Sequence, residues 1–345
     1  MPHPTAVLPE LHSRPRRVLV TGGAGLIGSA LVWGLNRHGI DDIVVVDRLG
    51  TDDRWRNLVA LRFADYLEAE ALLPSLESGA LGRFDLVLHL GANSNTMERD
   101  VSSLIHNNFE YTKRLALWAV AHETRFVYAS SAATYGDLAD DVEASNDLAV
   151  LRQLRPLNAY GYSKHLFDLY AAQAGLLDRV IGLKYFNVFG PNEAHKGEMR
   201  SLVHKAHQQI LDTGRVKLFK SHRPEFTDGG QRRDFLYVKD AVAMTLHLAT
   251  ASGVAGLYNV GSGVAQTWLE LVGAIFAAMD RPPEVEFIDM PAAIRDKYQY
   301  HTRASIAGLR RSGYTVEVTP LTESVRDYVQ RYLQPDRRLG DGPER

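Results

Sequence analysis

The chain has 345 residues, 45% hydrophobic and 23% charged, the make-up of an ordinary globule with ample core material. A formal net charge of −2 gives no electrostatic case for nucleic acid or an anionic membrane as partner, and no run of 18 apolar residues is present to span a bilayer. The absence of cysteine excludes disulfides, thiolate catalysis and thiolate metal sites; no metal site of any kind is expected.

In chain order, residues 1–15 are rich in proline, lack an apolar signal core, and read as a disordered extension. Arg17 to Thr21 is a short apolar strand, followed at once by Gly22-Gly23-Ala24-Gly25-Leu26-Ile27-Gly28 and a helix from Ser29 to about His38. Ile43 to Asp47 is a second buried strand, ending in an acid. Gly23, Gly25 and Gly28 satisfy G-x-G-x-x-G, and Gly22, Gly25 and Gly28 satisfy the G-x-x-G-x-x-G spacing. Glycines at these places permit a tight turn and let the backbone approach a pyrophosphate at the positive end of the helix. Asp47 follows where a carboxylate accepts from an adenosine ribose. Strand, glycine turn, helix and acid together point to dinucleotide binding.

Leu58 to Phe63 is expected as a third strand, with Asp65 just beyond it beside an adenine. Phe84 to Leu90 is a fourth, leading into the small residues Gly91, Ala92, Asn93 and Ser94, past which a cofactor can run closely. A helix carrying Asn107 and Asn108 runs to about His122, and Arg125 to Ser131 and Val180 to Tyr185 are the fifth and sixth strands. The alternation argues a Rossmann-type α/β fold, a doubly wound parallel sheet, with a smaller C-terminal substrate-binding α/β domain. Residues 16–190 are assigned mainly to the dinucleotide-binding domain and 191–334 mainly to the substrate-binding one, with some exchange of chain. Residues 335–345 read as a disordered tail.

Tyr160 and Lys164 lie four apart at the head of an apolar-periodic run, so one helix face carries both. A phenol beside an ammonium is an acid/base device, because the cation favours the phenolate. Past residue 190 the pattern loosens: 192–197 is a polar loop, Ser201 to Asp212 a helix, Val216 to Phe219 a strand. The long polar stretch 220–231 ends in Arg232 and Arg233, a pair suited to a diphosphate as well as to solvent. Gly256 to Val260 and Val285 to Ile288 are strands, and Trp268 to Met279 is an amphipathic helix.

Thr-Gly-Gly-Ala-Gly-Leu-Ile-Gly (21–28), Ala-Ser-Ser-Ala-Ala-Thr-Tyr-Gly (129–136), Tyr160-Gly-Tyr-Ser-Lys164 and Arg233-Asp-Phe together resemble the extended short-chain dehydrogenase/reductases (NAD-dependent epimerase/dehydratase superfamily) acting on nucleotide sugars. Pro156 to Lys164, Tyr185-Phe-Asn-Val-Phe-Gly-Pro with His195-Lys196-Gly197, and Lys297-Tyr298-Gln299 narrow the likeness to the ADP-glycero-manno-heptose 6-epimerases. The resemblance implies a cytoplasmic homo-oligomer, commonly a pentamer, in lipopolysaccharide inner-core synthesis. It would convert ADP-D-glycero-manno-heptose to the L-glycero epimer with tightly held NADP, NAD being the alternative.

The same resemblance gives residue roles. Ser131, Tyr160, Lys164 and Lys196 would be catalytic, Lys196 as a second acid/base. Gly22, Gly25, Leu26, Ile27, Gly28, Asp47, Arg48, Arg54, Leu90, Gly91, Ala92, Ser94, Asn107, Lys164 and Val188 would hold the cofactor. Asn187, Glu198, Phe219, Lys220, Ser221, His222, Arg233 and Tyr298 would hold the ADP-sugar. The chain departs from the family at Asn93-Ser-Asn-Thr-Met, at Glu198, in a longer loop after Phe219 and in its N-terminal extension. Ala132-Ala133 stands where a 4,6-dehydratase carries Asp-Glu, and His195-Lys196-Gly197 is not needed by a UDP-hexose 4-epimerase. A simple reductase would consume NADPH stoichiometrically, and a dinucleotide-sensing regulator would need no Ser131, Tyr160 and Lys164 set.

Overall fold

The structure, a computed structural model, describes residues 8–138, 140–295 and 298–342. Its centre is a seven-stranded, wholly parallel sheet in the order Gly256–Val260, Val180–Tyr185, Arg125–Ser131, Leu86–His89, Val18–Thr21, Ile43–Asp47, Asp65–Glu68. Alternate side chains of these strands supply two cores, as the period of two requires. Val18, Val20, Val45, Leu88 and Ile181 face one core with the helices Leu26–Arg37 and Val238–Thr250. Leu19, Val44, Val46, Val87 and Phe126 face the other with Ala69–Glu77, Tyr111–Ala121 and Ala159–Gln173.

The chain leaves this sheet after Tyr185 and builds a mixed three-stranded sheet, Ala265–Thr267, Arg232–Tyr237, Asn187–Phe189, and a parallel pair, Val216–Phe219 with Val285–Ile288. Helices Leu202–Thr213, Trp268–Ala278 and Leu321–Tyr328 pack beside them. Ser201 caps the first of these, and a reciprocal Thr267–Glu270 capping box starts the second.

Four expectations need correction. Residues 58–63 are not a strand: Asp52 caps a short 3₁₀ turn, Asp53–Asn57, and the chain stays irregular until the strand Asp65–Glu68. Asp65 therefore opens a strand, exposed at the amino end of a parallel sheet, and cannot meet an adenine at the carboxyl end. The N-terminal extension is docked over its described part: Leu8 and Leu11 pack on the core, and His12 and Ser13 hydrogen-bond Thr250. Residues 1–7, Lys297 and 343–345 lie outside the described residues. Over its described part, to residue 342, the tail folds back, with Leu339 completely buried and its N–H donating to Asn192 Oδ1 at 3.0 Å. The helix Val238–Thr250, buried at every position, has no counterpart in the sequence reading. Finally, the helix spanning 101–121 is wound in three parts, α at Val101–Leu104, π at Ile105–Glu110 and α again at Tyr111–Ala121.

Candidate active site

Because all seven strands run parallel, the segments after Thr21, Asp47, His89, Ser131 and Tyr185 emerge on one edge, where open α/β sheets hold their ligands. The first is the glycine turn. A Cβ on Gly22 would lie 2.6 Å from the backbone N of Gly91, and one on Gly28 would lie 2.0 Å from Gly22 O, so the turn, its helix and the next loop meet backbone to backbone. The helix begins at Leu26 with Gly25 as N-cap, no side-chain cap and no acid in its first turn. Its positive end is left to an outside acceptor, which suits a diphosphate.

Beyond the turn a pocket is lined by Thr21, Gly22, Asp47, Arg48, Arg54, Gly91, Ala92 and Asn107, together with Val46, Ala69 and Tyr111. Asp47 is largely occupied from within. Its carboxylate accepts from Ala24 N at 2.8 Å and Arg48 N at 2.7 Å, with Arg54 Nη1 at 3.4 Å. Burial raises its pKa and these donors oppose the rise. Arg48 pairs with Glu70 and donates to Asn107 Oδ1 at 2.8 Å, while Arg54 is held by Asp52. Both guanidinia thus stand at the pocket's rim. Leu26 turns into the core and Ile27 packs against it; Ser94 is exposed on the following loop.

Tyr160 enters on the helix Ala159–Gln173, whose N-cap Asn158 accepts from Gly161 N at 2.8 Å. A Cβ on Gly161 would meet Ala133 O at 2.7 Å, so glycine lets this helix start press against the segment that follows Ser131. The result is that the Ser131 side chain comes to face the Tyr160 hydroxyl. Burial raises the Tyr160 pKa, and the Ser131 hydroxyl works against that rise. The sequence reading gave that part to Lys164. Instead the Lys164 ammonium, buried and brought down to about 8 by desolvation, donates to Ala129 O at 2.8 Å.

Lys196 lies on a short 3₁₀ segment, Ala194–Met199, and burial lowers its pKa, opposed by Glu193. That segment is clamped to the glycine turn by one side chain. Asn57 Nδ2 reaches Ala24 O at 2.8 Å, Asn192 O at 3.0 Å and His195 Nδ1 at 3.3 Å. Thr96 on the loop after the fourth strand approaches Met199 from the other side. Glu198 points away, highly exposed and paired loosely with Lys205.

The groups expected to hold the sugar nucleotide divide. Arg233 is buried, its guanidinium 5.0 Å from the Tyr298 ring and 5.8 Å from the Trp268 ring, and Trp268 Nε1 donates to Tyr298 Oη at 2.9 Å. His222 joins this cluster through Tyr300, its N–H donating to Tyr300 Oη at 3.1 Å, while Ser221 N donates to Asp228. Lys220 pairs with Asp289 in solvent. Arg232, one step along the strand from Arg233, faces out and bonds Ala265 O, so only Arg233 of the pair turns inward, its guanidinium donating to Arg232 O at 2.9 Å and to Gln299 O. Asn187 and Val188 open the short strand beside Phe235 and Leu236.

Several site groups were missed. Asn108 Nδ2 reaches Asn93 O and Ser163 Oγ, both at 2.9 Å, tying the loop after the fourth strand to the Tyr160 helix. Gln231, two positions before Arg233 and buried, has no hydrogen-bond partner for its amide among the described residues. The alternation of the strand was its one available signal. Asp168 and Lys184, fully buried below Lys164, had none beyond the four-residue step from Lys164 to Asp168.

Residues 18–261 match the NAD dependent epimerase/dehydratase family. The ADP-L-glycero-D-manno-heptose-6-epimerase of Nitratidesulfovibrio vulgaris is 50% identical over 316 residues, 91% of this chain and 97% of that protein. Among solved structures, the ADP-L-glycero-D-manno-heptose-6-epimerase of Helicobacter pylori superposes with a TM-score of 0.76 at 26% identity, over 92% of this chain and 96% of that one. The UDP-glucose 4-epimerase of Thermus thermophilus, solved with NAD, gives 0.70 at 27% identity over 91% and 97%.

Proposed function

This chain belongs to the NAD dependent epimerase/dehydratase family, and we propose that it inverts C6 of ADP-D-glycero-β-D-manno-heptose to give ADP-L-glycero-β-D-manno-heptose. The observation that carries the reading is the Ser131–Tyr160 hydroxyl pair, with Lys164 one helical turn on, at the sheet edge that also bears the glycine turn. Identity of 50% to a protein named for this reaction supports the substrate.

Hydride acceptance and return at C6 is the chemistry that a bound nicotinamide dinucleotide supplies. The chain's own part is positioning and proton transfer. Tyr160, facing Ser131, exchanges a proton with the C6 oxygen, and Lys164 binds the nicotinamide ribose. Arg233, between two aromatic rings, takes the diphosphate of the substrate, so residues 191–334 hold mainly the sugar nucleotide. Inversion requires hydride to leave one face of C6 and return to the other. C6 lies outside the sugar ring, so rotation about C5–C6 turns the transient ketone and carries its oxygen to a second proton donor. Lys196, desolvated on a segment clamped to the glycine turn, is that donor.

The cofactor we propose is NADP. Arg48 and Arg54 stand at the pocket rim, and the Asp47 carboxylate, bonded to two amides and near Arg54, repels a 2′-phosphate less than a free acid would. The protein works as a homo-oligomer; among the described residues no helix is long and apolar enough to cross a membrane.

Purified protein incubated with ADP-D-glycero-manno-heptose, with the C6 configuration followed by NMR, tests the reaction; an unchanged D-glycero signal overturns it. Nucleotide released by denaturing the fresh protein identifies the cofactor, and a preponderance of NAD rules out the part given to Arg48 and Arg54.

A further inference from the structure

We infer that the buried ion pair Asp168–Lys184 is a positioning pair for the catalytic groups: it locks the Tyr160 helix to the strand ending in Ser131 and supplies the negative charge that Lys164 faces from inside the protein. Both side chains are 0% exposed and their charged atoms are 2.5 Å apart. Asp168 lies one turn beyond Lys164 on the same helix. Its carboxylate also accepts from Ser130 Oγ at 2.7 Å and Tyr128 Oη at 2.9 Å, both on the strand that ends at Ser131. Lys184, from the neighbouring strand, donates to Thr134 Oγ1 at 2.7 Å and sits 5.0 Å from the Tyr135 ring. Thr134 Oγ1 in turn donates to Ser131 O at 2.8 Å. The two strands, the helix and the segment after Ser131 therefore all meet at one pair of charges.

A buried pair of this kind adds less stability than apolar side chains of the same volume would, because both ions lose their hydration. Its network explains its presence better. Desolvation weakens the cationic form of Lys164, and Asp168 is the group that opposes this. The other groups facing Lys164 do not. His89, from the fourth strand, is kept neutral by its burial, and Tyr160 on the same helix is uncharged while burial holds its proton. Lys184 is engaged with Asp168 and Thr134. Without the aspartate, Lys164 would give up its proton at lower pH, and the ribose-binding cation would be lost within the working range.

The inference rests on reading Tyr160 as the acid/base and Lys164 as the cation that binds the nicotinamide ribose, and its test does not depend on the sugar. Protein labelled with ¹³Cε-lysine is titrated by NMR, with the Lys164 signal assigned by its loss in Lys164→Met. In Asp168→Asn the Lys164 midpoint falls by about one pH unit or more, the scale of a neighbouring opposite charge. The double variant Asp168→Asn/Lys184→Met leaves no buried charge uncompensated, and it shows the same fall. Lys184→Arg, which keeps the pair, titrates as the parent does. The pH profile of epimerisation moves with the NMR midpoint. A folded double variant in which Lys164 titrates as in the parent overturns the inference, whether or not the chain epimerises a heptose.

Discussion

Leu339→Ala probes the tail that the fold draws back onto the body. Leu339 is 0% exposed, its N–H bonds Asn192 Oδ1 at 3.0 Å, and Asn192 holds a left-handed φ of 77° four residues before Lys196. Asn192 also reaches Ser29 Oγ at 2.8 Å and accepts from Asn57, so the tail ends on the junction that clamps the Lys196 segment to the glycine turn. Removing a fully buried leucine side chain usually costs about 2.7–5.0 kcal/mol. Here the surface segment beside it, exposed at 334–337, can shift to fill the space, which brings the loss to roughly the transfer energy of the side chain, about 2–3 kcal/mol. At about 1.4 kcal/mol per factor of ten, the tail should open about 30- to 150-fold more often. Hydrogen–deuterium exchange read by mass spectrometry resolves this peptide by peptide. Faster exchange over 336–342 and, to a lesser degree, over 192–196 is the expected result. Unchanged protection of the tail would show that Leu339 does not hold it, and a change confined to the tail would refute its coupling to Lys196.

Tyr160→Phe and Lys196→Met should each lower turnover about 10²–10⁴-fold while retaining bound dinucleotide; near-parental rates in a folded variant would remove that residue from the proton path. With aldehyde analogues, whose dismutation needs hydride transfer but no inversion, each single variant should keep some activity and the double variant almost none. Gly28→Ala sets a methyl 2.0 Å from a backbone oxygen that has no side-chain freedom, so the purified variant should carry no dinucleotide, as its ultraviolet spectrum will show. His89, whose burial lowers its folded pKa to about 3 against 6.5, binds its proton more readily when unfolded. Its contribution is complete above pH 6.5 and falls by about 1.4 kcal/mol per unit below it. Between pH 7 and pH 5, His89→Gln should therefore lose about 2 kcal/mol less stability than the parent in urea titrations, and parallel losses would contradict this.

The buried strands were legible because a parallel sheet covered on both faces needs unbroken apolar runs, as at Val18–Thr21 and Ile43–Asp47. The edge strand Asp65–Glu68 escaped for the converse reason: it is polar and half exposed, while the apolar residues just before it are drawn inward without pairing, Leu58 and Leu61 into the core. The helix Val238–Thr250 was hidden by its burial on all sides: even its polar residues, Lys239, Asp240, His247 and Thr250, are buried, so it has no solvent-facing side of the kind a helical period is read from. Spacing put Tyr160 and Lys164 on one helix, but it gave no account of what the helix rests against; Gly161 against Ala133 decides that. Contacts between residues distant in the chain, such as Asn57 with Ala24 and Asn192, leave no local trace.

The π-wound turn at Ile105–Glu110 gives the adjacent residues Asn107 and Asn108 separate duties, one toward Arg48 at the pocket rim and one toward Asn93 and Ser163. Such a turn holds one residue more than the α-helix around it would. Deleting a single residue there would let the whole of 101–121 wind as one regular helix. Everything on one side of the deletion would then turn by about 100° and advance about 1.5 Å relative to the other. Locally the helix would gain regularity, yet its two asparagines would no longer reach both clients. In a library of variants, this stretch should accept many replacements of its outward residues and almost no change of length.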